Sequence, residues 1–364
     1  KQTLAQTLEE TKQVSQNKDE QLSQQSGALA EQNTQITALK KKTAELQQSQ
    51  ESLLAEQALL IEAKEKQLSE LNSCAEDRTE DMLLSSNYIG TSDSFDIITW
   101  NIEWFPKNIK SIDYIAEAII ELDVDILGLQ EITSTPKFNL LISTINGLDS
   151  ANNWVGFRSE NSEYQELAYL INLSDIQIID EPYTILKNNS YSFAFREPFL
   201  VKLKYKNNEI VIINSHFKCC GDGNLDFNSS SDEENRRYNS VNLLKEYIDT
   251  YLFDQNVILI GDFNDDIAEP LQNNVFQNFL SDTSNYSFVD YDIASTNTSD
   301  WSYPSWPSHL DHILITNELF DDFANSGSKI QTLLIENYLA GGWNEYETYI
   351  SDHRPVALSL YINP

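Results

Sequence analysis

Two hydrophobic periodicities divide this chain of 364 residues. Over residues 1–72 apolar side chains recur on a heptad. Leu8, Leu22, Leu29, Ile36 and Leu71 fall at one seam position and Leu4, Leu39, Leu46, Leu53 and Leu60 at the other. A seven-residue repeat keeps one stripe of a helix turned toward a partner helix. Gln25, Gln32, Thr43, Gln50, Gln57, Lys64 and Gln67 interrupt the seam; polar residues there weaken the pairing but specify register and partner number. The stretch has one Gly, no Pro and no aromatic residue, which is long-helix composition. The pattern predicts a coiled-coil stalk over 1–72, on the order of 100 Å long at ~1.5 Å per residue. Such a helix gains its stability from a partner. Self-association, most simply as a dimer or trimer, or pairing with another protein's helix is therefore expected.

Residues 73–94 (NSCAEDRTEDMLLSSNYIGTSD) end the heptad with Gly90 and clusters of Ser, Asp and Asn, and read as a linker. From Phe95 onward the texture changes. Short β-rich runs occupy 95–103, 126–132, 167–172, 199–205, 209–217, 257–264, 310–316 and 355–362. Helical spacing fills 111–122 (SIDYIAEAIIEL) and 236–253 (RRYNSVNLLKEYIDTYLF). Strands alternating with helices predict a layered α/β domain over 95–364. In KYKNNEIVI the pair Asn207-Asn208 separates two alternating runs and predicts a hairpin turn, so part of the sheet is antiparallel.

Charge narrows the picture more than overall composition does. The chain carries 24 Lys+Arg against 57 Asp+Glu, a net −33, and residues 91–364 alone account for −27. So acidic a surface repels phosphates and anionic membranes at long range. That argues against a sequence-specific DNA-binding module and against adhesion to anionic membranes, but not against an enzyme that grips one phosphate through a metal. No run approaches the ~20 apolar residues of a membrane span. The sequence begins at Lys1 rather than Met and is expected to be a piece of a longer or processed chain. Cys74, Cys219 and Cys220 are too few for a disulfide framework. They leave the compartment undecided, with an extracytoplasmic or secreted setting favoured.

The candidate chemistry sits where strands end. Asn101 and Glu103 follow FDIITW, Gln130 and Glu131 follow DILGL, and His216 follows VIINS. Asp262 and Asn264 close VILIG, Asp311 opens HILIT, and Asp352 with His353 precedes PVALSL. Any one of these is more often a turn former than a catalyst. Their recurrence at corresponding ends points to convergence on one edge of the domain. Carboxylates gathered there need a cation to offset desolvation. Oxygen donors suit magnesium, with manganese or calcium as alternatives, and the absence of Cys–His ligand spacing disfavours zinc.

Read together, TWNIEWF, LGLQEI, NSHFK, GDFND, LDHIL and SDHRPV, in this order, resemble the endonuclease/exonuclease/phosphatase superfamily and its deoxyribonuclease I-like nucleases. The resemblance covers about residues 95–362 and none of the stalk. It implies a four-layered α/β sandwich and magnesium-dependent hydrolysis of a phosphoester by an activated water. By the same resemblance Glu131 is the principal metal carboxylate, with Asn101, Glu103 and Asp352 beside it. Asp262 orients or deprotonates the water, Asn264 holds the phosphate, His216 and His353 flank the phosphorus, and Asp311 orients His353. Tyr164 and Glu166 resemble a Tyr-x-Glu whose glutamate supports the first histidine, here His216. Phe195-Arg196-Glu197-Pro198 resembles an Arg-Glu-Pro segment whose arginine contacts phosphate, the bland alternative for Arg196 being a surface salt bridge.

Other features are less specific. Lys218 positions phosphate or is simply a solvated strand-end lysine. Cys219-Cys220 is a vicinal disulfide or two thiols. The loop 221–235 (GDGNLDFNSSSDEEN) could gate the site or bind calcium, though without EF-hand spacing. Arg236 and Arg237 read as decoration of a helix surface. Three functions are weighed: a metal-dependent nuclease cleaving DNA, or RNA; a phosphatase or phosphodiesterase acting on phosphoinositide, sphingomyelin or nucleotide; and a non-enzymatic scaffold built on the stalk. The Tyr-x-Glu and Arg-Glu-Pro matches favour the nuclease, and the charge of −27 is the main point against it.

Overall fold

The computed structural model describes residues 90–160, 165–296 and 298–362, together with residues 12, 18, 26, 33–37 and 39–43. The chain divides into two compact units, Lys1–Thr79 and Glu80–Pro364. The described positions before residue 44 are helical, with Thr37 and Thr43 hydroxyls donating to the carbonyls of Asn33 and Leu39. The remainder of the expected stalk, the linker up to residue 89 and Tyr164 lie outside the described residues.

The second unit holds two mixed six-stranded sheets. The first is built from β1 (Phe95–Phe105), β2 (Ile126–Ile132), β3 (Trp154–Arg158), β4 (Glu166–Asn172), β11 (Lys329–Thr332) and β12 (Val356–Leu360), in the order β11-β12-β1-β2-β4-β3. The second uses β5 (Ile176–Thr184), β6 (Phe199–Tyr205), β7 (Asn208–His216), β8 (Asn256–Asp262), β9 (Tyr286–Phe288) and β10 (Asp311–Thr316), in the order β5-β6-β7-β8-β10-β9. Each sheet has one parallel pair near its middle, β1 with β2 and β7 with β8, and antiparallel pairs elsewhere.

Period-2 alternation assigns the faces. Phe95 and Ile97 of β1 point between the sheets and meet Ile210, Ile212, Ile258, Ile260 and Ile313. Ile98, Trp100 and Ile102 point outward under α1 (Ser111–Leu122) and α2 (Thr135–Leu148). Ile112, Ile115, Ala116, Ile119 and Leu122 form the buried stripe of α1. The other sheet is covered by α3 (Glu233–Tyr251), whose Val241, Leu244 and Ile248 pack on Val211, Ile213, Val257 and Leu259. The result is helix, sheet, sheet, helix: the four-layered α/β sandwich that the resemblance implied.

Polar groups lock the sheets together beneath the edge that matters. Gln130 donates to Asn214 Oδ1 at 2.8 Å, and Asn214 donates back to the carbonyls of Leu129 and Ala168. Gln130 is thus an inter-sheet tie, not a site residue. Gly128 permits this approach, since a Cβ there would stand 2.4 Å from Ile260 Cδ1.

Several boundaries move. Tyr205 pairs with Asn208, so the hairpin turn is Lys206-Asn207, one residue earlier than expected, with Lys206 in the left-handed region at φ 52°. Asp232 caps α3 by accepting from the Asn235 amide at 2.8 Å, so that helix starts at Glu233 rather than Arg236. Residues 90–94 belong to the globular unit rather than to the linker. Gly90 N–H donates to Leu122 O, Thr91 N–H to the Asp96 carboxylate, and Tyr205 Oη to Ser94 O.

Candidate active site

The catalytic candidates of the second sheet lie on one rung of its register. His216 of β7 pairs with Asp262 of β8, and Asp262 pairs with Asp311 of β10. Residues directly opposite on neighbouring strands share a face and stand close, so three sequence-distant groups meet by register alone. The preceding rung needs Gly261, at φ 154°, because a Cβ would fall 1.8 Å from Ser215 O. From the first sheet, Asn101 of β1 pairs with Gln130 of β2, which places Glu131 beside it.

Asp262 is the centre. Its Oδ2 accepts from Asn101 Nδ2 at 2.9 Å and lies 3.3 Å from His216 Nε2 and 3.9 Å from His353 Nε2. Its Oδ1 accepts from the amide of Asn264 at 3.0 Å. His353 is held by Asp311, with Nδ1 to Oδ2 at 2.8 Å, and its ring lies against Tyr303 with centroids 4.8 Å apart. Burial raises the Asp262 carboxyl, and Asp311 and Glu131 add to the rise against His353 and Asn101. Burial opposes charge on His353, but Asp311 and Asp262 outweigh it and hold its pKa up. His216 goes the other way: burial, then Arg196 and His353, push it well below the usual range. The two imidazoles are thus electrostatically unlike.

On the other wall, Glu131 Oε2 accepts from the amide of Trp104 at 2.9 Å, and Oε1 faces Asn101 Nδ2 at 3.3 Å. Glu103 pairs with Lys107 and accepts from the amide of Asp352 at 3.0 Å. Glu103, Glu131, Asp262 and Asp352 line one cavity of about 530 Å³ with Asn264, Arg196 and both histidines. Its donors at the Glu131 side are oxygens, the type that suits a hard divalent cation, while the group of this region whose ligand atoms lie close enough together to share one ion is Asp262, Asp311 and His353.

Arg196 is buried and makes no ion pair among the described residues. Nη1 donates to Gln165 Oε1, Nη2 donates to Phe217 O at 2.7 Å, and Nε has no partner among the described residues. Burial lowers its pKa, against the pull of Asp262 and Glu131. The expected alternative of a surface salt bridge is not what the structure has. A buried guanidinium without a counter-ion, facing a cavity, is a place for an anion.

Some expectations are corrected. Glu166 is buried and accepts from Ser159 Oγ, whose oxygen also accepts from Leu167 N–H. His216 Nδ1 has no partner among the described residues, so the support expected from Glu166 is not formed. Ser159, from the end of the neighbouring strand, bonds Oε2 of that carboxylate. Lys218 turns toward Cys219 O and Glu233 rather than into the cavity. Arg237 is not surface decoration: it is buried and joins Asp265 at 2.7 Å and Glu234 at 3.2 Å, while Arg236 donates to Tyr191 O. Cys219 and Cys220 are free thiols. Asp222, Asp232 and Glu234 of the 221–235 loop do come together, but Asp232 caps α3 and Glu234 pairs with Arg237.

Sequence reasoning passed over Tyr303, Gln165, Lys107 and Ser351, whose hydroxyl bonds Asn101 O and accepts from His353 N–H. Ser351, the first residue of the SDHRPV motif, and Gln165, the middle residue of the Tyr-x-Glu match, carried a signal; Tyr303 and Lys107 did not. A second His–Asp group, Asp290 with His309 and His312, lies buried near the loop that follows β8.

Comparison with known proteins identifies the family. Residues 98–353 match the model of the Endonuclease/Exonuclease/phosphatase family, and the chain belongs to that family. It is accordingly a hydrolase of phosphoester bonds. A sequence search of curated proteins finds no match. Among solved structures, D. rerio TDP2 complexed with single-strand DNA product aligns at 12% identity and TM-score 0.54, covering 74% of this chain and 99% of that one. The human Nocturnin catalytic domain with bound sulfate anion aligns at 16% and 0.51, covering 74% and 93%. An endonuclease/exonuclease/phosphatase family protein from Bacteroides thetaiotaomicron aligns at 15% and 0.50, covering 74% and 98%. At such identities these likenesses establish a shared fold.

Proposed function

We propose that the chain is a metal-dependent phosphodiesterase that hydrolyses nucleic acid, DNA in the first instance. The observation that carries the chemistry is the single carboxylate oxygen, Asp262 Oδ2, within reach of both histidines and of Asn101. Asp262 is the group placed to orient a water and take its proton. His216 and His353 both direct Nε2 toward that place. Asp311 fixes the ring of His353 through Nδ1, so Nε2 is the nitrogen left to face a reacting phosphate. Arg196 and Asn264 line the same cavity and hold the phosphate oxygens, Arg196 gaining the counter-ion it lacks. A hard divalent cation, magnesium in the first instance, when bound at Glu131, Glu103 and Asp352 supplies neutralisation of the non-bridging oxygens.

Nucleic acid is preferred over a lipid phosphodiester because the Arg196 segment follows the nuclease-like pattern of the sequence and its buried guanidinium lines the cavity. Plasmid nicking measured beside sphingomyelin and phosphoinositide hydrolysis, each with magnesium and with chelator, tests this. Magnesium-dependent nicking with lipids untouched is the expected result, and lipid hydrolysis without nicking would reverse the assignment.

A further inference from the structure

Resting on that nuclease reading, we propose that Trp104 and Trp306 are a pair of stacking platforms at the mouth of the cleft, and that the substrate enters as an unpaired strand. Both indoles are unusually open to solvent: Trp104 is 52% exposed and Trp306 77%. Rings of this size normally supply core packing. Here both line the cavity that holds Asp262 and His353.

Neither ring hangs on a slack backbone. Trp104 has φ 47°, its amide is bonded to Glu131, and the next residue, Phe105, is fully buried. Trp306 sits in a turn closed by paired backbone bonds between Tyr303 and Ser308, at 3.0 and 3.1 Å. Pro304 and Pro307 flank its tip. Ser305 Oγ donates to Glu347 at 2.8 Å, tying the turn down, and Tyr303 at its base lies against His353. The backbone of Trp104 is therefore one hydrogen bond from the proposed metal carboxylate, and the turn that carries Trp306 rests on His353 through Tyr303. Preorganised flat faces of this kind bind at small entropic cost.

Charge says what they bind. Seven carboxylates line the cavity against two arginines. Arg237 is already committed to Asp265 and Glu234, which leaves Arg196 alone for a phosphate. Residues 91–364 carry −27. Phosphates flanking the scissile one therefore find few cations, and counterion release, the usual source of duplex affinity, contributes little. Stacking of bases on aromatic rings is the remaining source, worth roughly 5- to 100-fold in affinity per base. Bases inside a duplex already stack on one another, whereas a single strand offers free faces.

The test uses the full chain with magnesium, acting on a fluorescent single-stranded oligonucleotide, its duplex and bis(p-nitrophenyl) phosphate, which has no base. The single strand should show the lower KM, and that KM should vary with salt less steeply than duplex binders do. In Trp104→Ala and Trp306→Ala the oligonucleotide KM should rise roughly 5- to 100-fold relative to the same variant's KM for the small diester, with Trp→Phe recovering most of it. Equal KM on duplex and single strand, or unchanged KM ratios in both alanine variants, would overturn the platforms while leaving the nuclease assignment standing. Loss of binding to sphingomyelin-containing vesicles, with oligonucleotide KM untouched, would overturn them in favour of a membrane role. Failure to cleave any nucleic acid would remove the nuclease assignment, and the platforms with it.

Discussion

Asp290→Ala should cost the globular unit about 3–5 kcal/mol, as expected when one partner of a buried ion pair is removed. Asp290 is fully buried. Its Oδ2 meets His312 Nδ1 at 2.6 Å and His309 Nε2 at 3.1 Å, and its Oδ1 accepts from the Ile313 amide at 3.0 Å. The donors can be assigned from their other contacts. His309 Nδ1 accepts from the Ser302 amide, so its Nε2 carries hydrogen. His312 Nε2 faces Asp265 O, a pure acceptor, and its Nδ1 faces a carboxylate, so both nitrogens carry hydrogen and the ring is an imidazolium. Alanine would leave three buried donors unmatched, at about 1–3 kcal/mol each. Loss of the His312 proton relieves part of that, which brings the total to the range given. Against a typical total of about 5–15 kcal/mol this is large. Asp290→Asn keeps the shape and one acceptor, and should cost less than alanine.

The pH dependence carries a definite sign. Burial opposes ionisation of Asp290, but His312 and His309 overcome it and hold the carboxyl below its usual value. Its contribution is therefore present above about pH 4 and lost as pH falls toward the folded value. Burial likewise opposes the charge on His312, but Asp290 and the Asp265 carbonyl raise its pKa above the usual value. Its contribution is complete below about pH 6.5 and declines, by up to ~1.4 kcal/mol per pH unit, as pH rises toward the raised value. The penalty of Asp290→Ala should thus be greatest between about pH 4 and 6.5 and smaller at pH 9. Urea unfolding followed by tryptophan fluorescence measures this cleanly, because all six tryptophans lie at or after position 100 and report the globular unit alone. A penalty below 1 kcal/mol, or one equal at pH 6 and pH 9, would refute the assignment of His312 as a buried imidazolium.

Glu131→Gln should abolish hydrolysis while leaving the urea midpoint within experimental error, and excess EDTA should silence the wild type; full turnover in EDTA contradicts both. His216→Ala and His353→Ala should each lower kcat at least ~100-fold, and the double variant should fall short of their product because both groups act on one transition state; either single variant near wild type removes that residue from the reaction. A chain shortened to begin at Gly90 should fold as a monomer and turn over a small phosphodiester at the parent's per-site rate, while the parent sediments as an oligomer. Starting instead at Phe95 should lower the urea midpoint, because the bond of Gly90 to the end of α1 and those of Thr91 and Ser94 to β1 and β6 are lost.

What could be read in advance divides along a physical line. Strands announce themselves by period, and a polar residue at the end of an apolar run stands out against that period. Asn101, Glu131, His216, Asp262 and Asp311 were visible for this reason, and the register then carries His216, Asp262 and Asp311 onto one rung. Edge elements were not visible: β5 is largely exposed and contains Pro182, so it lacks the alternation of a half-buried strand. Nor were the partners of the site residues. Arg237 reads as a helix-surface charge until Asp265, 28 positions away, is placed against it, and Glu166 reads as a histidine's support until His216 Nδ1 is seen to lack a hydrogen bond.

The same division explains why the chemistry of this chain is easier to infer than its substrate. The groups proposed to act on the phosphorus sit at or beside strand ends, where sheet register leaves little choice of position and motif order follows strand order. Groups that would select what carries the phosphorus sit on turns such as 303–308 and beside the left-handed residues Glu103 and Trp104. No period governs those positions, so an exposed indole there looks in sequence like any other tryptophan. Its exposure appears only once the surrounding strands have been folded into place, and it is at such positions that members of one fold can come to differ in what they bind.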